Sequence, residues 1–300
     1  MRNDAVSIEA WRGRGQRLET HDGDVFWLDT GAAQGSSRTP ICILHGFPTS
    51  SHDFARLIDL VSPSRRIVTL DYLGFGLSDK PVEYGYSIFE HADAVALVMR
   101  EAKIDRAHVF AHDLGTSVAT ELCARHERRL LPFDIASLTL MNGSVHVEMA
   151  DLTFGQIALR SPLGPLFAKL NTSRSFKMQM SRIFSRSVSD RDLDDMWSLL
   201  SRADGPSRLP QMIRYVEERT RFRRRWIGAL ERLDRPAHVA WGRLDPVAVI
   251  AIARQLADEI PKCEITIWDD LGHYPQVEAP DVVAKTVSGF WDKIDSSAQT

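Results

Sequence analysis

The sequence predicts an α/β fold, with a mostly parallel, doubly wound sheet and one long helical insertion. Short apolar runs recur along the chain, helical patterns separate most of them, and one interval from Ser144 to about Trp226 breaks the alternation. Near-continuous, β-branched runs of this length fit strands buried on both faces of a parallel sheet. Their alternation with helices implies right-handed βαβ units.

The first stretch reads as paired edge strands over 16–20 and 25–29, joined by a turn at His21-Asp22-Gly23. Residues 31–39 are small and polar, a loop. The buried strands begin with 41–44, which ends at His45-Gly46, and 67–70, which ends at Asp71. Residues 107–111 form the third, and 135–141 the fourth, ending at Asn142-Gly143. Residues 237–241, ending at Gly242, and 263–268 complete the set. Helices are predicted over 88–102, 117–129, 247–260 and 280–294. The odd interval is helical in pattern, rich in arginine and punctuated by Pro162, Pro165, Pro206 and Pro210. It reads as a helical cap over the carboxyl edge of the sheet, where sites in such folds form. The predicted division is a core of residues 1–143 and 228–300 with a cap of residues 144–227.

Composition bounds the function. A chain of 300 residues, 44% hydrophobic, buries a sufficient core without staples. A net charge of −3 argues against nucleic acid as a partner. The dense basic run from Arg219 to Trp226 reads as a solvated helix face with Phe222 and Trp226 buried; the alternative is an anion-contacting edge of a substrate channel. Cys42, Cys123 and Cys263 form no C-x-x-C pair and no metal spacing with histidine. Each lies in an apolar stretch, so buried thiols in a reducing cytoplasm are expected. Met1-Arg2-Asn3-Asp4 lacks the apolar region of a signal peptide, and no apolar run approaches the ~20 residues of a membrane helix. The expectation is a cytoplasmic protein with a small-molecule substrate, no cofactor, no nucleic acid and no membrane span. A homodimer stays open.

The central motif is Ala111-His112-Asp113-Leu114-Gly115-Thr116-Ser117, between a strand and a helix. A sharp turn here lifts one side chain above the sheet, and serine hydrolases place G-x-S-x-G at it. No such serine motif occurs in this chain; Asp113 stands at the nucleophile position. A carboxylate attacking an ester would give a reactive anhydride. Attack on an sp³ carbon bearing a leaving group gives a stable alkyl ester, which base-activated water can then hydrolyse. The base is expected in Leu271-Gly272-His273-Tyr274-Pro275, as His273. Trp241-Gly242-Arg243-Leu244-Asp245-Pro246 supplies Asp245 to orient it. Asp134 is a rival acid but precedes its strand; Asn142 has the right edge but no charge; Asp269 and Asp270 stay open. His45-Gly46-Phe47-Pro48 follows a strand, so the backbone N–H groups of Phe47 and Leu114 are the expected oxyanion donors. Pro48 has no N–H. His45, His112, His146 and Trp197 are candidate substrate contacts.

In these motifs the chain resembles the aspartate-nucleophile branch of the α/β-hydrolase fold family, which holds epoxide hydrolases and haloalkane dehalogenases. The resemblance runs from about Gly15 onward, and includes His45 to Ser51 and Asp71 to Pro81. More selective segments resemble the mesoderm-specific transcript protein group: Tyr86-Ser87-Ile88-Phe89-Glu90, Asp195-Met196-Trp197, Phe222-Arg223-Arg224-Arg225-Trp226 and Tyr274-Pro275-Gln276-Val277-Glu278. Haloalkane dehalogenases hold halide with a tryptophan after the nucleophile and often an asparagine after His-Gly; here those positions are Leu114 and Phe47. Fluoroacetate dehalogenases place arginines near the elbow, where this chain has Leu114 and Ser117. Epoxide hydrolases use cap tyrosines to protonate the opening ring oxygen. Tyr215 precedes Asp245 at a spacing similar to the later of these, with His146 as a substitute for the missing second donor. The resemblance implies an epoxide-hydrolase-type enzyme acting on a small to medium apolar substrate. A dehalogenase with an atypical halide site and a non-enzymatic ligand- or partner-binding scaffold are the alternatives.

Overall fold

The structure, a computed structural model, describes residues 6–32 and 37–297. Met1 to Asp4 and the middle of the 31–39 loop lie outside the described residues. Eight strands among the described residues form one sheet: β1 (Gly15–Thr20), β2 (Gly23–Asp29), β3 (Ile41–Leu44), β4 (Ile67–Leu70), β5 (Arg106–His112), β6 (Asp134–Met141), β7 (Ala237–Gly242) and β8 (Cys263–Trp268). The spatial order is β1-β2-β4-β3-β5-β6-β7-β8. β1 pairs antiparallel with β2, and β2 with β4; every later pairing is parallel. This is an α/β-hydrolase fold.

The period-2 alternation of β3 shows how the sheet is buried. Cys42 and Leu44 face one apolar cluster, with the helices Ile88–Glu101 and Leu114–Glu127. Ile41 and Ile43 face the other, with Ala55–Val61 and Pro280–Ser297. The Tyr86-to-Glu90 segment is a helix start: the Glu90 carboxylate accepts the Ser87 N–H at 2.8 Å, a reciprocal cap.

Three expectations need correction. β8 is not buried on both faces: Glu264 and Ile265 are exposed on this last strand of the order, where no further strand among the described residues extends the sheet. Cys263 on it is therefore only half-buried, unlike Cys42 and Cys123. The helix expected from residue 117 starts at Leu114, immediately after Asp113. The short helices Ile8–Arg14 and Ala55–Val61 are additions to the expected set.

Between β6 and β7 no strand occurs among the described residues. The chain there forms the helices Phe154–Arg160, Gly164–Lys169, Ser173–Met180, Asp190–Ser201, Leu209–Met212, Tyr215–Arg221 and Arg223–Glu231. Pro165 and Pro210 sit in the first turns of two of them, where a missing N–H costs nothing. Lys80, from the core, ties this segment down: its buried ammonium donates to the carbonyls of Gly74 and Leu199, both at 3.1 Å. No helix among the described residues is long and apolar enough to cross a membrane.

The basic run is not a uniformly solvated face. Trp226 is fully buried, as expected, whereas Phe222 is only half-buried; Arg219 is buried too, and its Nε donates to Ser117 Oγ at 2.9 Å. Arg225 makes two hydrogen bonds to the buried Glu121 carboxylate, at 2.7 and 2.8 Å. The segment's helices must lie on the core helix that carries Ser117 and Glu121. The two acceptors on that helix draw two of the arginines inward.

Candidate active site

Asp113 caps the turn between β5 and the helix Leu114–Glu127 with a φ of +47°. For a residue other than glycine this is a strained conformation, held by its surroundings. The Asp113 carbonyl accepts from Thr116 N at 3.0 Å and Thr116 Oγ1 at 2.6 Å. Two glycines let neighbouring strand ends close around it. A Cβ on Gly143 would lie 2.4 Å from Asp113 Cα, and one on Gly46 would lie 2.8 Å from Asp113 Cβ. Asp113 is 6% exposed, and Phe47 N–H donates to its Oδ2 at 2.8 Å. Leu114 is the first helical residue, so its N–H belongs to the turn that lacks intrahelical acceptors. That helix N-terminus also favours negative charge at Asp113.

His273 and Asp245 meet on the adjacent turns. His273 Nδ1–H donates to Asp245 Oδ2 at 2.7 Å, which leaves Nε2 as the free nitrogen of the ring. The other oxygen of Asp245, Oδ1, accepts from the backbone N–H groups of Val247 and Ala248, at 2.7 and 2.9 Å. Asn142, set aside as an uncharged candidate, completes the array: Nδ2 donates to Asp245 Oδ2 at 2.8 Å and Oδ1 accepts from Gly242 N at 3.0 Å. The rival acids are elsewhere. Asp134 pairs with Arg235 at the start of β6, and Asp269 and Asp270 turn outward to Arg243 and Arg186. Burial works to lower the His273 pKa, but the negative charges of Asp245 and Asp113 outweigh it, and the net direction is upward.

The expected substrate contacts are corrected one by one. His112 is fully buried; its Nε2–H donates to the His273 carbonyl at 2.7 Å, and Gln276 donates to its Nδ1 at 3.2 Å. Burial lowers its pKa to about 4, so it holds the His273 loop as a neutral ring. His45 donates from Nδ1 to the Gly46 carbonyl at 2.9 Å and accepts from Tyr72 N at Nε2, at 3.2 Å. Both rings therefore have their two nitrogens occupied within the protein. His146 sits between Glu148 and Glu259, at 3.1 and 2.8 Å, because two carboxylates attract its ring away from the cavity. Trp197 packs behind the cavity, with its ring 5.6 Å from that of Phe176.

Tyr215 is buried, with its ring centroid 5.6 Å from that of Phe47. Burial first, and the Asp113 charge second, push its pKa well above the ordinary value, so it remains an O–H donor. Gln156 lines the cavity from the inserted helices. The Arg219 guanidinium lies 4.6 Å above the tyrosine ring. Sequence reasoning missed Arg219, whose burial hides inside a basic run, and Tyr274, whose hydroxyl donates to the Phe47 carbonyl at 3.2 Å.

A cavity of about 540 Å³ lies between the strand ends and the inserted helices. Phe47, Pro48 and His273 line it from the core, and Leu159, Phe176 and Met180 from the insertion. It has the size and apolar character of a small-molecule site.

A family model described as alpha/beta hydrolase fold matches residues 39–280. Among curated proteins, the putative hydrolase LipZ of Mycobacterium tuberculosis is 41% identical over 283 residues, covering 93% of this chain and 96% of its own. The human mesoderm-specific transcript homolog protein is 33% identical over 294 residues, covering 95% of this chain and 88% of its own. Among solved structures, the haloalkane dehalogenase DbeA from Bradyrhizobium elkani superposes with a TM-score of 0.80 at 22% identity, over 94% of this chain and 99% of its own. At that identity the likeness speaks for the fold.

Proposed function

The chain belongs to the α/β hydrolase fold family, and from that premise we propose that it is an epoxide-hydrolase-type enzyme with Asp113 as nucleophile. The observation that carries this reading is the elbow carboxylate, an aspartate whose Oδ2 is already held by the Phe47 N–H. Oδ1 is left to attack a ring carbon of an apolar epoxide. The C–O bond of the ring breaks as the ester bond forms, and Tyr215 gives its proton to the departing oxygen. His273, oriented by Asp245, then takes a proton from water at Nε2. The hydroxide adds to Asp113 Cγ, and the N–H groups of Phe47 and Leu114 stabilise the oxyanion on Oδ2. Collapse breaks the Cγ–Oδ1 bond: the leaving alkoxide takes the proton from His273, the proton left on the new Asp113 carboxyl returns to the Tyr215 oxygen, and a diol departs with the carboxylate restored. Residues 144–227 serve as the cap that shapes the apolar cavity and brings Tyr215 to the site.

Intact mass spectrometry of His273→Ala, incubated with pooled epoxides and haloalkanes, tests the proposal. Without the base the ester should persist. An adduct equal to a whole epoxide, absent from Asp113→Asn/His273→Ala, is the expected result. An adduct equal to an alkyl group without its halogen would replace epoxide opening by dehalogenation. No adduct, or one that survives loss of Asp113, would overturn the mechanism.

A further inference from the structure

Half of the exposed large apolar side chains among the described residues fall in one short stretch. Phe154, Ile157, Leu163, Leu166, Leu170 and Met178 are 53–76% exposed. Single exposed apolar residues are ordinary, whereas a concentration of them marks an interaction surface. The three helices that carry or flank them, Phe154–Arg160, Gly164–Lys169 and Ser173–Met180, are packed together. The Phe154 and Phe167 rings lie 6.1 Å apart, and a Cβ on Gly155 would come within 2.2 Å of Gln179 Oε1. Phe154, Leu170 and Met178 also line the cavity, so the patch borders its mouth.

Charge selects the partner. Residues 152–189 hold Arg160, Lys169, Arg174, Lys177, Arg182 and Arg186 and not one acidic residue, in a chain whose net charge is −3. Arg160, Lys177 and Arg186 pair with Glu217, Asp194 and Asp270. Lys169, Arg174 and Arg182 form no ion pair among the described residues. A two-fold contact between copies would bring like charges together, which disfavours a second copy as the occupant.

We infer that this face docks on an anionic phospholipid surface, with its apolar side chains at the headgroup boundary and its free cations on lipid phosphates. Interfacial helices bind through this combination of apolar burial and basic charge. An apolar compound dissolved in the bilayer then meets the cavity mouth directly. The docking does not depend on the chemistry at Asp113.

Co-sedimentation with vesicles of phosphatidylcholine alone, and of phosphatidylcholine with phosphatidylglycerol in equal parts, tests this. The protein should pellet with the mixed vesicles only, and salt should release it. Each basic residue near such a surface contributes about fivefold in partitioning, so Lys169→Glu/Arg174→Glu should weaken binding at least ~25-fold. Leu163→Glu/Leu166→Glu should also abolish pelleting. Both pairs change exposed side chains, and unaltered thermal unfolding will show that they fold. Failure of the wild type to pellet, equal pelleting on both vesicles, or variants that bind like the wild type would overturn the inference. So would a dimer in sedimentation equilibrium that Leu163→Glu/Leu166→Glu dissociates, since a second copy would then cover the face.

Discussion

The carboxyl edge of the sheet and the helices inserted after β6 face the same cavity but are built on opposite terms. At the sheet edge the Asp245 carboxylate is fully committed: four donors converge on it, and His112 and His45 are fixed at both ring nitrogens. In the helices Phe154–Arg160, Gly164–Lys169 and Ser173–Met180, apolar side chains stand in solvent, and Lys169 and Arg174 form no ion pair among the described residues. Geometry that must hold to a fraction of an ångström needs redundant anchors. A surface that docks on a bilayer, as inferred for these helices, needs area and charge, and little fixed geometry.

The sheet edge is therefore where one side chain matters most. Asn142→Leu keeps the number of side-chain heavy atoms but removes the donor to Asp245 and the acceptor of the Gly242 N–H. A hydrogen bond to a charged group is worth about 1.5–3 kcal/mol, which predicts a 10–100-fold slower breakdown of the ester on Asp113. Single-turnover mass spectrometry measures that rate, and thermal unfolding should fall in parallel because two buried polar groups lose a partner. An unchanged rate would mean that Val247 and Ala248 orient Asp245 unaided.

The same contrast explains what could be read from the sequence. The strands at 41–44, 67–70 and 263–268 match the structure because short apolar runs bounded by Gly, Asp or Pro announce themselves locally. Asp113, Asp245 and His273 were visible because each directly follows such a run or its turn. The helix Ala55–Val61 was missed because it is seven residues long and its N-cap, Phe54, makes no capping bond. The partners of His112 and Asn142 were invisible for another reason: they lie 161 and 103 positions away, and only the folded topology brings them together. The inward turn of Arg219 likewise depends on Ser117, 102 positions earlier.

The electrostatics of the committed site yield a smaller effect. The His273 pKa is raised because the attraction of Asp245 and Asp113 exceeds the opposing cost of burial. In the proposed mechanism, formation of the ester removes the Asp113 charge, so the imidazole should give up its proton more readily when water is to be activated. Asp113→Asn mimics that neutral state. The His273 ring, followed by proton NMR against pH, should titrate above 6.5 in the wild type and at lower pH in Asp113→Asn. Equal titration in both would remove Asp113 from the electrostatics of the base.

The smallest effect belongs to the inserted helices, and it bears on both halves of the comparison. Ile157 stands 56% exposed in the middle of the helix Phe154–Arg160. Truncation to Ala removes apolar surface that water already reaches and replaces a β-branched residue with a better helix former. The expected change in unfolding free energy is within about 0.5 kcal/mol, with a slight gain favoured. A loss of stability well beyond that would mean that the side chain is covered in solution. Concentration dependence of the loss would then identify a second copy, because only a partner of the same chain makes unfolding depend on protein concentration. A neutral result, with vesicle binding weakened by the same truncation, would leave the apolar face free in water and occupied at the bilayer.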